Sequence, residues 1–139
     1  MNIGDASARS GVSAKMIRYY ETIRLLKPAR RDNGYRDYHE ADVAVLQFIR
    51  RTRDLGFSLD EVAELLKLWR DRRRPSREVK RLAVAHIDDL ERRIREMRAV
   101  IRTLRELADH CHGDERSDCP ILDDLAAPAA NGRRKVTTA

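Results

Sequence analysis

The sequence is short of aromatic residues, of long apolar runs and of cysteine, and each shortage excludes something. Aromatics are 5% of 139 residues, which argues against the core of a large β-sandwich. No apolar stretch approaches the roughly 20 residues of a membrane helix. Met1-Asn2-Ile3-Gly4-Asp5 lacks the chemistry of a secretory leader. The expectation is a cytoplasmic protein with no membrane partner. There are only two cysteines. A reducing compartment keeps such thiols free, so a metal or catalytic role outranks a structural disulfide. Two per chain also fall short of the four that hold an iron–sulfur cluster.

What is plentiful is charge, 37% of residues against 42% apolar. That is thin in core for a lone globule and suits long surface helices and oligomers. The net charge is +6, and residues 1–53 hold eleven Lys/Arg against six Asp/Glu. A basic amino-terminal part favours an anionic partner, nucleic acid before membrane. The stretch 114–124 is mostly acidic.

Ile3, Ala6, Val12, Met16, Ile17 and Tyr20 fit two short helices joined at Ser10-Gly11, with Ser13 capping the second. That is helix-turn-helix spacing, and it turns Lys15, Arg18 and Tyr19 outward. Pro28 ends the pattern, and Asn33-Gly34 predicts a type I′ hairpin turn. Arg30, Arg31, Tyr35, Arg36 and Tyr38 flank it, a wing suited to phosphate contact. A third helix over 40–54 has Val43, Leu46, Phe48 and Ile49 inside and Arg50, Arg51 and Arg53 outside. Ser58-Leu59-Asp60-Glu61 is a capping box for a fourth, with Val62, Leu65, Leu66 and Trp69 as its core face.

Ile17-Arg18-Tyr19-Tyr20-Glu21, Leu25-Leu26, Asn33-Gly34-Tyr35-Arg36-Asp37-Tyr38 and Arg53-Asp54-Leu55-Gly56-Phe57-Ser58-Leu59 follow in order. Together they resemble the MerR family of transcription regulators, over residues 1 to about 125. The resemblance implies a mainly α chain with a winged helix-turn-helix head, a small β-hairpin wing, a long dimerisation helix and an effector site beyond it. The family's DNA contacts carry over onto Lys15, Arg18, Tyr19 and Tyr20 in the recognition helix. They carry over onto Arg31, Tyr35 and Arg36 in the wing, with Arg53 as a further phosphate contact.

Pro75 breaks the pattern, Ser76 is placed to cap the next helix, and nothing interrupts that helix before Gly113. Its seam is Ala83, Ile87, Leu90, Ile94, Met97, Ile101, Leu104 and Ala108, in alternating steps of four and three. A lone helix would leave this stripe wet, so a second copy is expected. A homodimer carries two heads, hence a pseudo-palindromic operator in double-stranded DNA. The resemblance implies that the two helices form an antiparallel coiled coil.

Cys111 and Cys119 bound a short polar loop at the end of this helix. Thiolates select soft ions such as Cu(I) or zinc. A structural zinc takes four ligands, so two more would come from His110, His112 or a carboxylate. A monovalent ion is content with two thiolates. Lys80 is a candidate to offset the site's negative charge. Asp118-Cys119-Pro120 and a cysteine at the helix end resemble the copper-responsive (CueR/HmrR-like) subgroup of the family. In that subgroup the position of Ser76 filters metals: zinc-sensing relatives place a third cysteine there. His112 stands where some members have proline, and their Cys/His-rich tail is missing.

The expected organisation is a DNA-binding domain over 1–71 (helix-turn-helix about 3–23, wing about 28–38) and a dimerisation helix over 76–110. A metal-binding loop with a short helix follows over 111–125, then a disordered tail over 126–139. The resemblance implies an activator of copper-efflux genes responding to Cu(I), with Ag(I) or Au(I) as substitutes. It would work beside RNA polymerase by distorting promoter DNA. Zn(II) or thiol oxidation to a Cys111–Cys119 disulfide stays open as the signal. A metal-storage protein or thiol enzyme also stays open, although neighbouring His110, Cys111 and His112 make no nucleophile–base pair by adjacency alone.

Overall fold

The computed structural model describes residues 1–115 and 117–128. The chain divides into two compact units, Met1–Arg81 and Leu82–Ala139. In chain order the elements are α1 (Ile3–Ser10), α2 (Ala14–Thr22), β1 (Ala29–Arg30), β2 (Arg36–Asp37), α3 (Glu40–Asp54), α4 (Leu59–Arg70), α5 (Ser76–Asp109) and α6 (Pro120–Ala126). Among the described residues no helix is long and apolar enough to cross a membrane. Most of the tail expected to be disordered, from 129 onward, lies outside the described residues.

In the first unit, side chains satisfy the helix starts much as the sequence suggests. Asn2 and Asp5 form a reciprocal capping box at α1, and Ser58 and Glu61 form one at α4. The Ser13 hydroxyl accepts from the Met16 N–H at 3.2 Å. Each such cap stabilises by about 1 kcal/mol. The helices α1 and α2 pack together, and α3 packs on both α1 and α4. Ile17, Tyr38, Leu46, Ile49, Val62 and Leu66 are fully buried between them, and each large apolar side chain so buried stabilises by about 1.5–3 kcal/mol. A bidentate Arg9–Glu40 pair ties α1 to α3 on the surface.

The turn between α1 and α2 depends on Gly11. Its φ of +76° is left-handed, and a Cβ there would meet the Arg50 guanidinium at 1.7 Å. The Gly11→Ala variant is expected to lose about 1–2 kcal/mol from the strained φ and the displaced arginine. A urea melt of the purified protein checks this. An unchanged midpoint would show that the turn tolerates a side chain.

The hairpin pairs Ala29 with Asp37 and Arg30 with Arg36, but its turn is not type I′. The Gly34 N–H donates to the Arg31 carbonyl at 2.8 Å, and the Arg31 N–H to the Tyr35 carbonyl at 2.7 Å. Among the hairpin's residues only Gly34 has a positive φ. A type I′ turn would need one at Asn33 too. This is the three-residue loop in which one left-handed glycine follows an ordinary turn. Among the described residues Arg24 is the one non-glycine at positive φ, 64°. It occupies the place glycine usually takes after a helix, with the Leu25 N–H reaching back to the Tyr20 carbonyl at 2.9 Å.

Two further expectations need correction. Trp69 is not core: it is 43% exposed and stacks flat on Phe48, ring centroids 4.7 Å apart. It falls at the end of α4, where the buried stripe of Val62 and Leu66 has already passed. Ser76 is the first residue of α5 rather than its cap. The Glu78 N–H donates to the Pro75 carbonyl at 3.1 Å, so Pro75 opens the helix.

In the second unit α5 runs to Asp109. Ile87, Leu90, Ile94, Met97, Ile101 and Leu104 of the expected seam are all exposed, Met97 to 65%. Ala83 and Ala108 at its ends are exposed as well. Arg92 pairs with Asp89 and with Glu96, the latter at 3.0 Å, and Arg93 pairs with Asp89 at 2.9 Å. Exposed helix pairs of this kind contribute only about 0.3–0.5 kcal/mol each. The short helix expected near Ile121–Leu125 is α6, with Leu122 and Leu125 exposed.

Candidate nucleic-acid interface and thiol loop

Lys15, Arg18 and Tyr19 stand exposed on α2. Tyr20 does not: it is 6% exposed and belongs to the core, where burial raises its pKa against the lowering pull of Arg53. The rings of Tyr19 and Tyr20 are 6.0 Å apart. On the hairpin, Tyr35 is the most exposed of the aromatics, at 72%.

Arg18, Tyr20 and Tyr35 line two concavities, whereas Lys15 and Tyr19 line neither. One, of about 410 Å³, is lined by Asn2, Ile3, Arg18, Arg31, Gly34, Tyr35 and Arg36. It gathers three arginines, one from α2 and two from the hairpin. Arg31 and Arg36 each already pair with a carboxylate, Asp37 and Glu21, and guanidinium forks of this kind suit a phosphate as a further ligand. The Asp37 carboxylate accepts from the Met1 ammonium at 2.9 Å and, in its pair with Arg31, from that guanidinium at 3.4 Å. These contacts, the ammonium first, lower its pKa.

The second concavity, of about 190 Å³, is lined by Gly11, Val12, Ser13, Met16, Tyr20, Arg50, Arg53 and Asp54. It places Tyr20 beside Arg53, whose Nη1 donates to the Phe57 carbonyl at 2.7 Å. Arg50 belongs to the same wall. The sequence put Arg50 on the outer face of α3 without a role. Its spacing of three from Arg53 was the available signal.

Arg36 is less free than the sequence suggests. Its Nε donates to the Glu21 carboxylate, which also accepts from the Tyr38 hydroxyl. Glu21 closes the Ile17-Arg18-Tyr19-Tyr20-Glu21 motif, and nothing local in the sequence marks it as a partner of Arg36.

Away from the interface, Ser76 and Lys80 line one concavity of about 440 Å³ with Phe48, Leu65, Trp69, Arg74 and Val79. Cys111 and Cys119 are free thiols, both half-buried. The Cys111 N–H donates to the Ala108 carbonyl at 3.1 Å, extending the end of α5. The Cys119 carbonyl accepts from Asp123 at 3.0 Å, opening α6. The backbone of each cysteine therefore belongs to a helix end. His110 Nδ1 lies 2.7 Å from the Glu106 carbonyl. A carbonyl only accepts, so Nδ1 is the donor in this contact. Among the described residues no three His, Cys, Asp or Glu side chains group as a metal cage.

The family model described as MerR HTH family regulatory protein matches residues 1–69, and the one described as MerR, DNA binding matches 43–107. The chain is 54% identical over 137 residues to heavy metal-dependent transcription regulator 2 of Rhizobium meliloti, covering 98% of this chain and 93% of that protein. It is 39% identical over 127 residues to the HTH-type transcriptional regulator CueR of Salmonella typhimurium, 91% of this chain and 92% of that one. The crystal structure of the transcription regulator PbrR691 from Ralstonia metallidurans, in complex with lead(II), is similar at a TM-score of 0.81. It is 35% identical and covers 91% of this chain and 99% of its own.

Proposed function

The chain belongs to the MerR family of helix-turn-helix regulators, and on that premise we propose that it is a homodimeric transcription activator responding to Cu(I). As a family member it is a DNA-binding transcription regulator and not an enzyme. The observation that carries the metal reading is the pair of free, half-buried thiols at the two ends of one loop, each on a residue at a helix terminus. Relatives named as heavy metal-dependent support a metal signal. Two soft donors suit a monovalent soft ion, so Cys111 and Cys119 hold Cu(I), or Ag(I) or Au(I) in its place. The bound ion links the end of α5 to the start of α6.

The exposed seam from Ala83 to Ala108 pairs with a second copy, antiparallel as the resemblance implies. Each dimer then carries two heads to a pseudo-palindromic promoter. Lys15, Arg18, Tyr19, Arg31, Tyr35, Arg36 and Arg53 take the DNA, with Tyr20 behind them. Occupancy of the loops biases how the heads distort the promoter before RNA polymerase, and the protein's contacts repay the DNA's deformation. Transcription in vitro from the protein's own promoter, with and without Cu(I), tests this. A transcript level indifferent to copper would end the reading.

His110 supports a second reading. With Nδ1 donating to a carbonyl, its Nε2 is left as metal-binding histidines leave theirs. Cys111, Cys119 and His110 would then begin a zinc site. X-ray absorption of the metal-loaded protein decides: two sulfurs favour Cu(I), and a four-coordinate shell with nitrogen favours Zn(II). Ser76 bears on the same choice. The Ser76→Cys variant adds a third thiolate if the site forms near that position. It is expected to accept divalent ions in competition titrations of Cu(I) against Zn(II). Unchanged selectivity would remove Ser76 from the site.

A further inference from the structure

An acidic side chain sits among the basic ones that face the DNA, and its contacts say why. Glu21 lies on α2 with its side chain only 10% exposed. One carboxylate oxygen accepts from Arg36 Nε and the other from the hydroxyl of fully buried Tyr38. Both donors come from the carboxyl-terminal side of the hairpin. Arg36 meanwhile lines the concavity shared with Arg18 and Arg31. A guanidinium held at Nε keeps its two Nη groups for a second ligand, in a fixed plane. We infer that Glu21 is a positioning residue for DNA binding: it holds Arg36 so that Arg36, Arg18 and Arg31 take one backbone phosphate between the recognition helix and the wing.

This rests on the family's DNA-binding reading and makes a prediction opposite to charge counting. On charge alone, removing an anion from a DNA-facing surface tightens binding. If Glu21 aims Arg36, removing it weakens binding. Burial, then the hydrogen bond to Glu21, raise the Tyr38 pKa. The phenol therefore stays a neutral donor to Glu21.

The experiment uses the full chain and a duplex that the wild-type protein selects from random DNA, followed by fluorescence anisotropy across a salt series. Glu21→Gln is expected to weaken binding roughly tenfold, as loss of a hydrogen bond to a charged group does. The slope of log affinity against log salt should fall by about one, as for a lost phosphate contact. Arg36→Ala should do the same, and the double variant should do no more than either. Tyr38→Phe removes only the phenol donor and should keep the salt slope, which separates a packing defect from a positioning one. Binding by Glu21→Gln that is equal or tighter, or losses that add in the double variant, overturns the assignment. Should Glu21→Gln fail to fold, Arg36→Lys keeps the charge but not the fork. It is expected to weaken binding, and wild-type affinity there overturns the assignment too. A wild-type chain that selects no sequence overturns both this and the DNA-binding reading.

Discussion

Cys111→Ser and Cys119→Ser are each expected to abolish the transcriptional response to Cu(I) while leaving operator binding nearly intact. The reason is the number of donors. A cage of four can lose one and keep some affinity, but a pair that loses one keeps a single soft ligand. A serine hydroxyl is hard and protonated at neutral pH, so it does not replace a thiolate. The loss should exceed the roughly 10- to 100-fold that follows removal of a merely supporting partner. Both thiols are half-buried at helix ends and are not part of the head's core. The fold and the DNA-facing arginines should therefore survive the change. The measurement is run-off transcription against buffered Cu(I), with anisotropy on the same protein. Normal induction by either serine variant would refute the two-thiolate site. Loss of DNA binding along with induction would show the loop to be structural.

The head was largely legible because its signals are local. The caps Ser13 and Ser58, the left-handed Gly11 and the period of Val43, Leu46 and Ile49 each act within a few residues, and each lies where the sequence placed it. The hairpin's existence followed from Asn33-Gly34, but its turn type did not. The choice between one and two positive φ values is settled by how Arg31, Gly34 and Tyr35 exchange backbone hydrogen bonds. Trp69 misled because periodicity says which face a residue is on, not how much covers it: Phe48 stacks on its ring but leaves it 43% exposed. Glu21 and Arg50 were invisible as partners. Arg36 and Tyr38 lie fifteen and seventeen positions from Glu21, and Arg50 sits 39 from Gly11. No pattern within one element reports a side chain from another. For the thiol loop, the placing of Cys111 after α5 and of Cys119 before α6 was legible in the sequence. The donor role of His110 Nδ1 came only from the Glu106 carbonyl beneath it.

The largest effect on assembly is expected from the paired substitution Leu90→Glu and Ile94→Glu. In the isolated chain both side chains are exposed, so the change costs the folded protomer little. In a dimer each copy loses two buried aliphatic side chains, four in all. Leu90 and Ile94 are 36% and 47% exposed in the protomer, so the dimer buries only that remainder, about 0.5–1.5 kcal/mol apiece or roughly 2–6 kcal/mol in all. Repulsion adds to it. The seam from Ala83 to Ala108 has its midpoint between Ile94 and Met97, so in an antiparallel pair the two new carboxylates at position 94 lie close together, and those at position 90 face the apolar seam unpaired. Sedimentation should therefore report a monomer. Binding to the full operator should fall by about 10²- to 10⁴-fold as the second head is no longer tethered, while binding to a single half-site stays as it was. A charge reversal at exposed Arg95, off the seam, should do neither. A variant that sediments as a dimer would place the interface elsewhere. A monomer that keeps full operator affinity would show that a single head suffices, and the proposed link between the loops and promoter geometry would then lose its physical basis.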